Sequence, residues 1–323
     1  MRAAVYTRYG PPPVLRVVDE PKPTPRDDEL LVMVYAATVN RTDCGFLRGR
    51  PRFVRLFSGL LRPRKRILGN EFAGLVMAIG AQVESFAVGD RVFGYTGVGF
   101  GSQSEYVTVR ESGLVALIPA GMSFEHAVPG TEGAHYALSH IRAAGIVAGQ
   151  EVLVNGATGG IGSAAVQLLT HAGARVTAVC DTVNVELVRS LGAEHIIDYT
   201  KEDFTRTHDR FDVVMDAVGK SSYGRCRALL KPHGIYLSSE LGSWGENPLL
   251  ALTTRVFGRK RVMFPIPRDR KSDVVFLQQL MADGAFTPVV DRTYPLAQIV
   301  QAYEYVETGM KVGNVVIRVA EER

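Results

Sequence analysis

The chain has 323 residues, more than one hydrophobic core normally supports, so two domains of ordinary size are expected. Hydrophobic residues at 46% and charged residues at 22% exclude a disordered, collagen-like or coiled-coil chain, and a formal charge of +4 is too dilute to point to nucleic acid. The opening MRAAVYTRYG lacks the apolar core of a secretory signal, no window has the apolar length of a membrane span, and Cys44, Cys180 and Cys226 form no CxxC pair; a cytoplasmic protein with inert, packed thiols is expected.

Over the first 120 residues, LLVMVYAATVN, EFAGLVMAIG, DRVFGY and SEYVTV read as short strands separated by Gly, Pro and Asp turns, which predicts a mainly β, barrel-like region. Residues 48–66, RGRPRFVRLFSGLLRPRKR, hold eight Lys/Arg and no acid, interleaved with Phe53, Val54, Leu56, Phe57, Leu60 and Leu61. The pattern predicts a helical lid whose apolar face packs on the protein, with contact to an anionic membrane as the alternative. His126, His135 and His140 read as structural histidines ahead of the next region.

From Gln150 to Ser239 the pattern changes to alternating strands and helices, the signature of parallel βαβ units in a doubly wound sheet. EVLVN is a strand, and Ile161, Ala164, Ala165, Leu168 and Leu169 recur at helical spacing until Gly173 stops the helix. RVTAVC, HIID and DVVMDAVG (212–219) are further strands, NVELVRSLGA is a helix, and GRCRALLKPHG followed by IYLSS predicts another helix and strand. The closing stretch predicts a strand from VVDRTY, a Pro-started amphipathic helix and a last strand in GNVVIRV.

The motif Gly156-Ala-Thr-Gly159-Gly-Ile-Gly162 follows a predicted strand and opens a predicted helix. Glycines there let the backbone turn tightly against a pyrophosphate, whose charge meets the free N–H groups and positive end of the helix dipole. A dinucleotide site is therefore expected at Gly156, Thr158, Gly159, Gly160, Ile161 and Gly162. Asp181, nineteen positions after Gly162, ends the next strand and is placed to accept from ribose hydroxyls, with Asn184 beside it. Its carboxylate would repel a 2′-phosphate, and Thr182, Val183 and Asn184 offer no cation, so the cofactor is expected to be NAD(P)H, leaning to NADH. Capping of the following helix is the other role open to Asp181.

With that motif, AATVNRTDCGF, GNEFAGLVMAIG, VGDRVFG and GNVVI in view, the chain resembles the medium-chain dehydrogenase/reductase superfamily over nearly its whole length, and within it the zinc-independent quinone oxidoreductase branch. The resemblance implies an α/β fold: a doubly wound Rossmann domain over 121–265, and a discontinuous GroES-like, mainly β substrate domain over 1–120 and 266–323, with the active site in the cleft. It also implies cofactor contacts at Tyr199, Val218, Gly219, Ser238, Ser239 and Asn314, and frequent homodimers. Val218, Gly219, Ser238 and Ser239 follow strand carboxyl ends, where such sheets bind ligands.

Zinc-dependent relatives place Cys and His where this chain has Asn40 and Asn70, and a third ligand near Glu132; amides are poor zinc ligands, so no metal is expected. Asn40, Asp43 and Glu132 are the catalytic candidates implied, with a side-chain role in a turn open to Asn40 and Asp43 and a helix-start role open to Glu132. Without a Lewis acid the expected substrates are small hydrophobic electrophiles, quinones or enones, in which added hydride gives a delocalised oxyanion. An alcohol dehydrogenase-like enzyme on another carbonyl and a non-catalytic dinucleotide-binding protein are the alternatives.

Overall fold

The computed structural model describes residues 1–242 and 244–321. In the first part, β1 (Arg2–Val5) and β2 (Arg16–Asp19) make a separate antiparallel ribbon. Alternation then builds β3 (Glu29–Val39): Leu30, Val32, Val34 and Ala36 are buried, while Met33 and Tyr35 are half-buried on the other face. Asn40 and Asp43 form a capping box that starts α1 (Arg41–Arg48), and the short α2 (Val54–Ser58) follows. β4 (Glu71–Ile79), β5 (Arg91–Tyr95), β6 (Tyr106–Arg110) and β7 (Leu114–Leu117) complete antiparallel ladders around β3.

α3 (Phe124–Ala127) packs on this barrel: the Phe124 ring stacks on Tyr35 at 4.6 Å, and the Arg91 guanidinium lies 4.4 Å over it. The two compact units consequently divide at Glu132/Gly133 and at Arg268/Asp269, where 120/121 and 265/266 were expected. Residues 322–323 of the expected C-terminal segment lie outside the described residues.

The second unit holds α4 from Gly133 onward (Glu132–Ala144 overall), β8 (Glu151–Asn155), α5 (Gly160–His171), β9 (Arg175–Cys180), α6 (Val185–Ser190), β10 (His195–Asp198), β11 (Phe211–Asp216), α7 (Tyr223–Cys226), β12 (Leu230–Ser238), α8 (Glu246–Phe257) and β13 (Arg261–Met263). Its six strands are all parallel in the order β10-β9-β8-β11-β12-β13, so chain direction across the sheet reverses beside β8. Val152, Leu153 and Val154 are fully buried at its centre, as both-face coverage requires. Two expectations need correction. The strand expected over 212–219 ends at Asp216, and the helix expected in GRCRALLKPHG shrinks to α7 and one 3-10 turn. Pro232 cannot sit in a helix interior, and Leu230 already pairs with Phe211 in β12.

The chain then returns to the first unit through α9 (Lys271–Ala282), β14 (Val290–Pro295), α10 (Ile299–Glu307) and β15 (Asn314–Arg318). β15 runs parallel to β14 and antiparallel to β3, while Ile299, Ala302, Tyr303 and Val306 bury one stripe of α10 in the barrel core. The helical lid expected over 48–66 is corrected to the five-residue α2 and a loop, and Leu56, Phe57, Leu60 and Leu61 remain exposed instead of packing inward.

Candidate functional site

In the second unit, β8 delivers the chain into Gly156, whose φ of +79° favours glycine. A Cβ on Gly156 would lie 2.6 Å from Val218 Cβ, and one on Gly162 would lie 2.0 Å from the Gly156 carbonyl oxygen. Only glycine therefore closes this turn. No side chain caps α5, whose N-cap is Gly159, so the helix presents its first-turn N–H groups and positive dipole end beside half-buried Thr158, Gly160 and Ile161.

Around that turn the sheet's carboxyl ends gather other expected residues. Asp181 follows β9 directly and accepts from Asn184 Nδ2 at 2.5 Å; Tyr199 is 56% exposed, with its N–H donating to Cys180 O. Val218 and Gly219 follow β11 and donate their N–H groups to Asp216 Oδ1 at 3.4 and 3.0 Å. Ser238 Oγ accepts from Glu240 N–H, and Ser239 Oγ is buried with no hydrogen-bond partner among the described residues. Sequence reasoning missed Asp216. It also accepts from Asn155 Nδ2, Ser221 N–H and Tyr236 OH, so one buried carboxylate ties together the ends of β8, β11 and β12.

The first unit assembles a different site. Asn40 Nδ2 donates to Glu132 Oε2 at 2.7 Å and to Glu71 Oε2 at 2.9 Å, and Thr42 Oγ1 bonds Glu132 Oε1 at 2.6 Å. Glu71, fully buried, accepts in addition from Thr38 Oγ1, Thr131 N–H, Thr131 Oγ1 and Glu132 N–H. Burial, with Glu71 and then Asp43 nearby, pushes the Glu132 carboxyl up to about 8. Burial likewise pushes Asp43 up to about 7 and raises Glu71. Half-buried Lys311 donates to Gly313 O, and Glu132 and Glu71 favour its charge against the desolvation that lowers its pKa.

For Asn40 and Asp43 the sequence left a turn role open beside the catalytic one. Asp43 is fully buried, one oxygen accepting from Asn40 N–H at 2.8 Å and the other from Gly69 N–H at 2.9 Å, so it fixes the turn into α1. The Asn40 amide, expected to donate to an oxyanion, is already engaged by two carboxylates. Asn314, expected at the cofactor, donates through Nδ2 to Val289 O at 3.1 Å within its own unit. Thr42, Glu71, Thr131 and Lys311 escaped sequence reasoning; the only hint was Glu71 beside Asn70 in GNEFAG.

The donor set does not fit zinc. Asn40 and Asn70 offer amides in place of thiolate and imidazole, and the Asn40 amide and Glu132 carboxylate are bonded to each other at 2.7 Å.

Residues 26–120 match the alcohol dehydrogenase GroES-like domain family, and residues 191–317 match a family described as zinc-binding dehydrogenase. The chain is 33% identical to the 2-methylene-furan-3-one reductase of Solanum lycopersicum over 98% of this chain and 79% of the relative. It is 30% identical to the chloroplastic NADPH-dependent alkenal/one oxidoreductase of Arabidopsis thaliana, with the same coverage of 98% and 79%. The solved quinone oxidoreductase from Coxiella burnetii superposes with a TM-score of 0.88 at 27% identity, covering 99% of each chain.

Proposed function

The chain belongs to the medium-chain dehydrogenase/reductase superfamily, in its quinone-oxidoreductase-like branch, and from that premise we propose that it reduces small enones and quinones with a nicotinamide dinucleotide and without zinc. The observation that carries this reading is the turn in which Gly162 approaches Gly156 O too closely for any side chain, beside an uncapped helix start. A reduced nicotinamide dinucleotide held there supplies the hydride. The first-turn N–H groups of α5 would meet its pyrophosphate, Asp181 and Asn184 would take the adenosine ribose, and Tyr199, Val218, Gly219, Ser238 and Ser239 would line its path along the strand ends. The Asp181 carboxylate disfavours a 2′-phosphate, which makes NADH the better donor, in contrast to the relative named NADPH-dependent.

In the barrel unit the residues manage a proton. Glu132, with its carboxyl raised to about 8, holds one at neutral pH, and Thr42 Oγ1 at 2.6 Å passes it outward toward the carbon or oxygen left anionic by hydride addition. Asn40 and Glu71 fix the Glu132 carboxyl, Asp43 fixes the turn that carries Asn40 and Thr42, and Asn314 braces β15; these are positioning residues. A conjugated substrate spreads the developing charge, so a held proton and hydrogen-bond donors suffice where an unactivated ketone would demand a Lewis acid. Amides at Asn40 and Asn70 support the zinc-free reading.

A homodimer belongs to the same proposal, supported by Leu249, Leu252, Val256 and Phe257 standing exposed on α8. No helix among the described residues is long and apolar enough to cross a membrane. The test is to follow NADH and NADPH oxidation with enones, quinones and saturated aldehydes. Turnover is expected with the first two classes, with higher kcat/KM for NADH. Dinucleotide binding without turnover of any of them would sink the proposal.

A further inference from the structure

Between Arg50 and Lys65 the chain carries chemistry that the reaction does not use. Its base is anchored on the barrel: Tyr9 OH bonds Ser58 Oγ at 2.7 Å and Gly59 O at 2.5 Å, and the Arg55 guanidinium lies 4.7 Å over the Tyr9 ring. Arg64 N–H closes back on Ser58 O at 2.8 Å, across a reversal at Gly59, where φ is +120° and a Cβ would lie 2.1 Å from Arg62 O. The segment is therefore held in one shape from below.

Its outer side is left to water. Phe53, Leu56, Phe57, Leu60 and Leu61 are exposed at 45%, 66%, 74%, 65% and 86%, a run of large apolar side chains that the described residues leave largely uncovered. Around them Arg50, Arg52, Arg62, Arg64 and Lys65 make no ion pair among the described residues, and the sequence has no acidic residue between Asp43 and Glu71. At the segment's two ends the cations are already used, Arg48 with Glu307 at 2.6 Å and Arg66 with Glu20 at 3.0 Å.

Apolar groups that leave water and unpaired cations that need negative charge are met together at the surface of an anionic bilayer, where headgroups lie a few ångströms above acyl chains. We propose that residues 50–65 are a docking surface for anionic lipid, with Phe57, Leu60 and Leu61 entering the headgroup–acyl boundary while Arg52, Arg62, Arg64 and Lys65 meet the headgroups. The contact is interfacial, since α2 spans only five residues. Because the base is preformed, little ordering opposes binding, and each basic residue near the leaflet strengthens it roughly fivefold. The inference is independent of the proposed reaction.

The full chain is sedimented with phosphatidylcholine vesicles, with and without phosphatidylserine, alongside Phe57→Ser/Leu61→Ser and Arg62→Glu/Arg64→Glu. These side chains are exposed, and matched thermal transitions verify that the variants fold. Binding is expected only with phosphatidylserine, weakened at least ~tenfold by either double variant and by salt of about 0.5 M. Equal binding to pure phosphatidylcholine, or binding that neither variant weakens, overturns the proposal. So does a concentration-dependent dimer that Phe57→Ser/Leu61→Ser abolishes in the absence of any vesicle binding, which would assign the face to a second copy of the chain.

Discussion

The glycine turn of the second unit and the carboxylate cluster of the first are built from different material. Between Gly156 and Gly162 the working groups are backbone N–H groups contiguous in the chain, and neither Gly156 nor Gly162 tolerates an added Cβ. Around Glu132 the site is assembled from side chains distant in the chain: Asn40 arrives from 92 residues away, Thr42 from 90, and Glu71, which accepts from the Glu132 N–H, from 61. A backbone site fails by steric exclusion, whereas a buried side-chain site fails by stranded polar groups and responds to pH.

The largest effect should come from Glu71→Ala. It strands donors of Thr38, Asn40, Thr131 and Glu132 in the core and should lower unfolding stability by about 3–5 kcal/mol in a urea titration. A loss below ~1 kcal/mol would mean that the cluster is not cooperative. Gly162→Val places a Cβ against the Gly156 carbonyl, where overpacking of about 3 kcal/mol corresponds to a dinucleotide affinity roughly 150-fold weaker by calorimetry. Wild-type affinity in that variant would remove the sharpest distinction between the two regions.

Glu132→Gln retains a side chain able to face Asn40 and Thr42 but holds no transferable proton, so kcat should fall about 100-fold. The pH dependence sharpens this. Folding raises the Glu132 carboxyl from 4.5 to about 8, so its stabilising contribution is fully present below pH 4.5 and is lost as pH rises through 8. Wild type should accordingly lose stability across that window and activity above pH 8, while Glu132→Gln shows flatter profiles in both. The smallest effect belongs to Asp181→Ser/Val183→Lys. Replacing a carboxylate and adding a cation at a residue 86% exposed should shift the NADH/NADPH ratio of kcat/KM by on the order of tenfold. An unchanged ratio would detach Asp181 from the ribose.

This contrast also governs what the sequence makes legible. A strand, three glycines and a helix are adjacent in the chain, so their periodicities and spacing announce the turn before any coordinate is known. Glu71, Thr131 and Lys311 carry no such local mark, because their meaning arises only when β4, the start of α4 and the segment before β15 meet. Asp43 illustrates the same limit: the sequence left a catalytic and a turn role open, and burial with two backbone donors gives it the turn. In 48–66 the apolar spacing suggested a packed helix, yet periodicity says nothing about whether a partner surface exists. The unit boundary moved for a related reason, since Phe124 stacks on Tyr35, a contact between residues distant in the chain.

Asp216 has a consequence for how the rim of the sheet is shaped. By joining Asn155, Tyr236 and the backbone of Val218, Gly219 and Ser221, it acts as a clasp across neighbouring strand ends. All five bonds are made within the fold, so the contour of the rim at that point is inherited from folding, and exchanging Asp216 would slacken three strand ends at once.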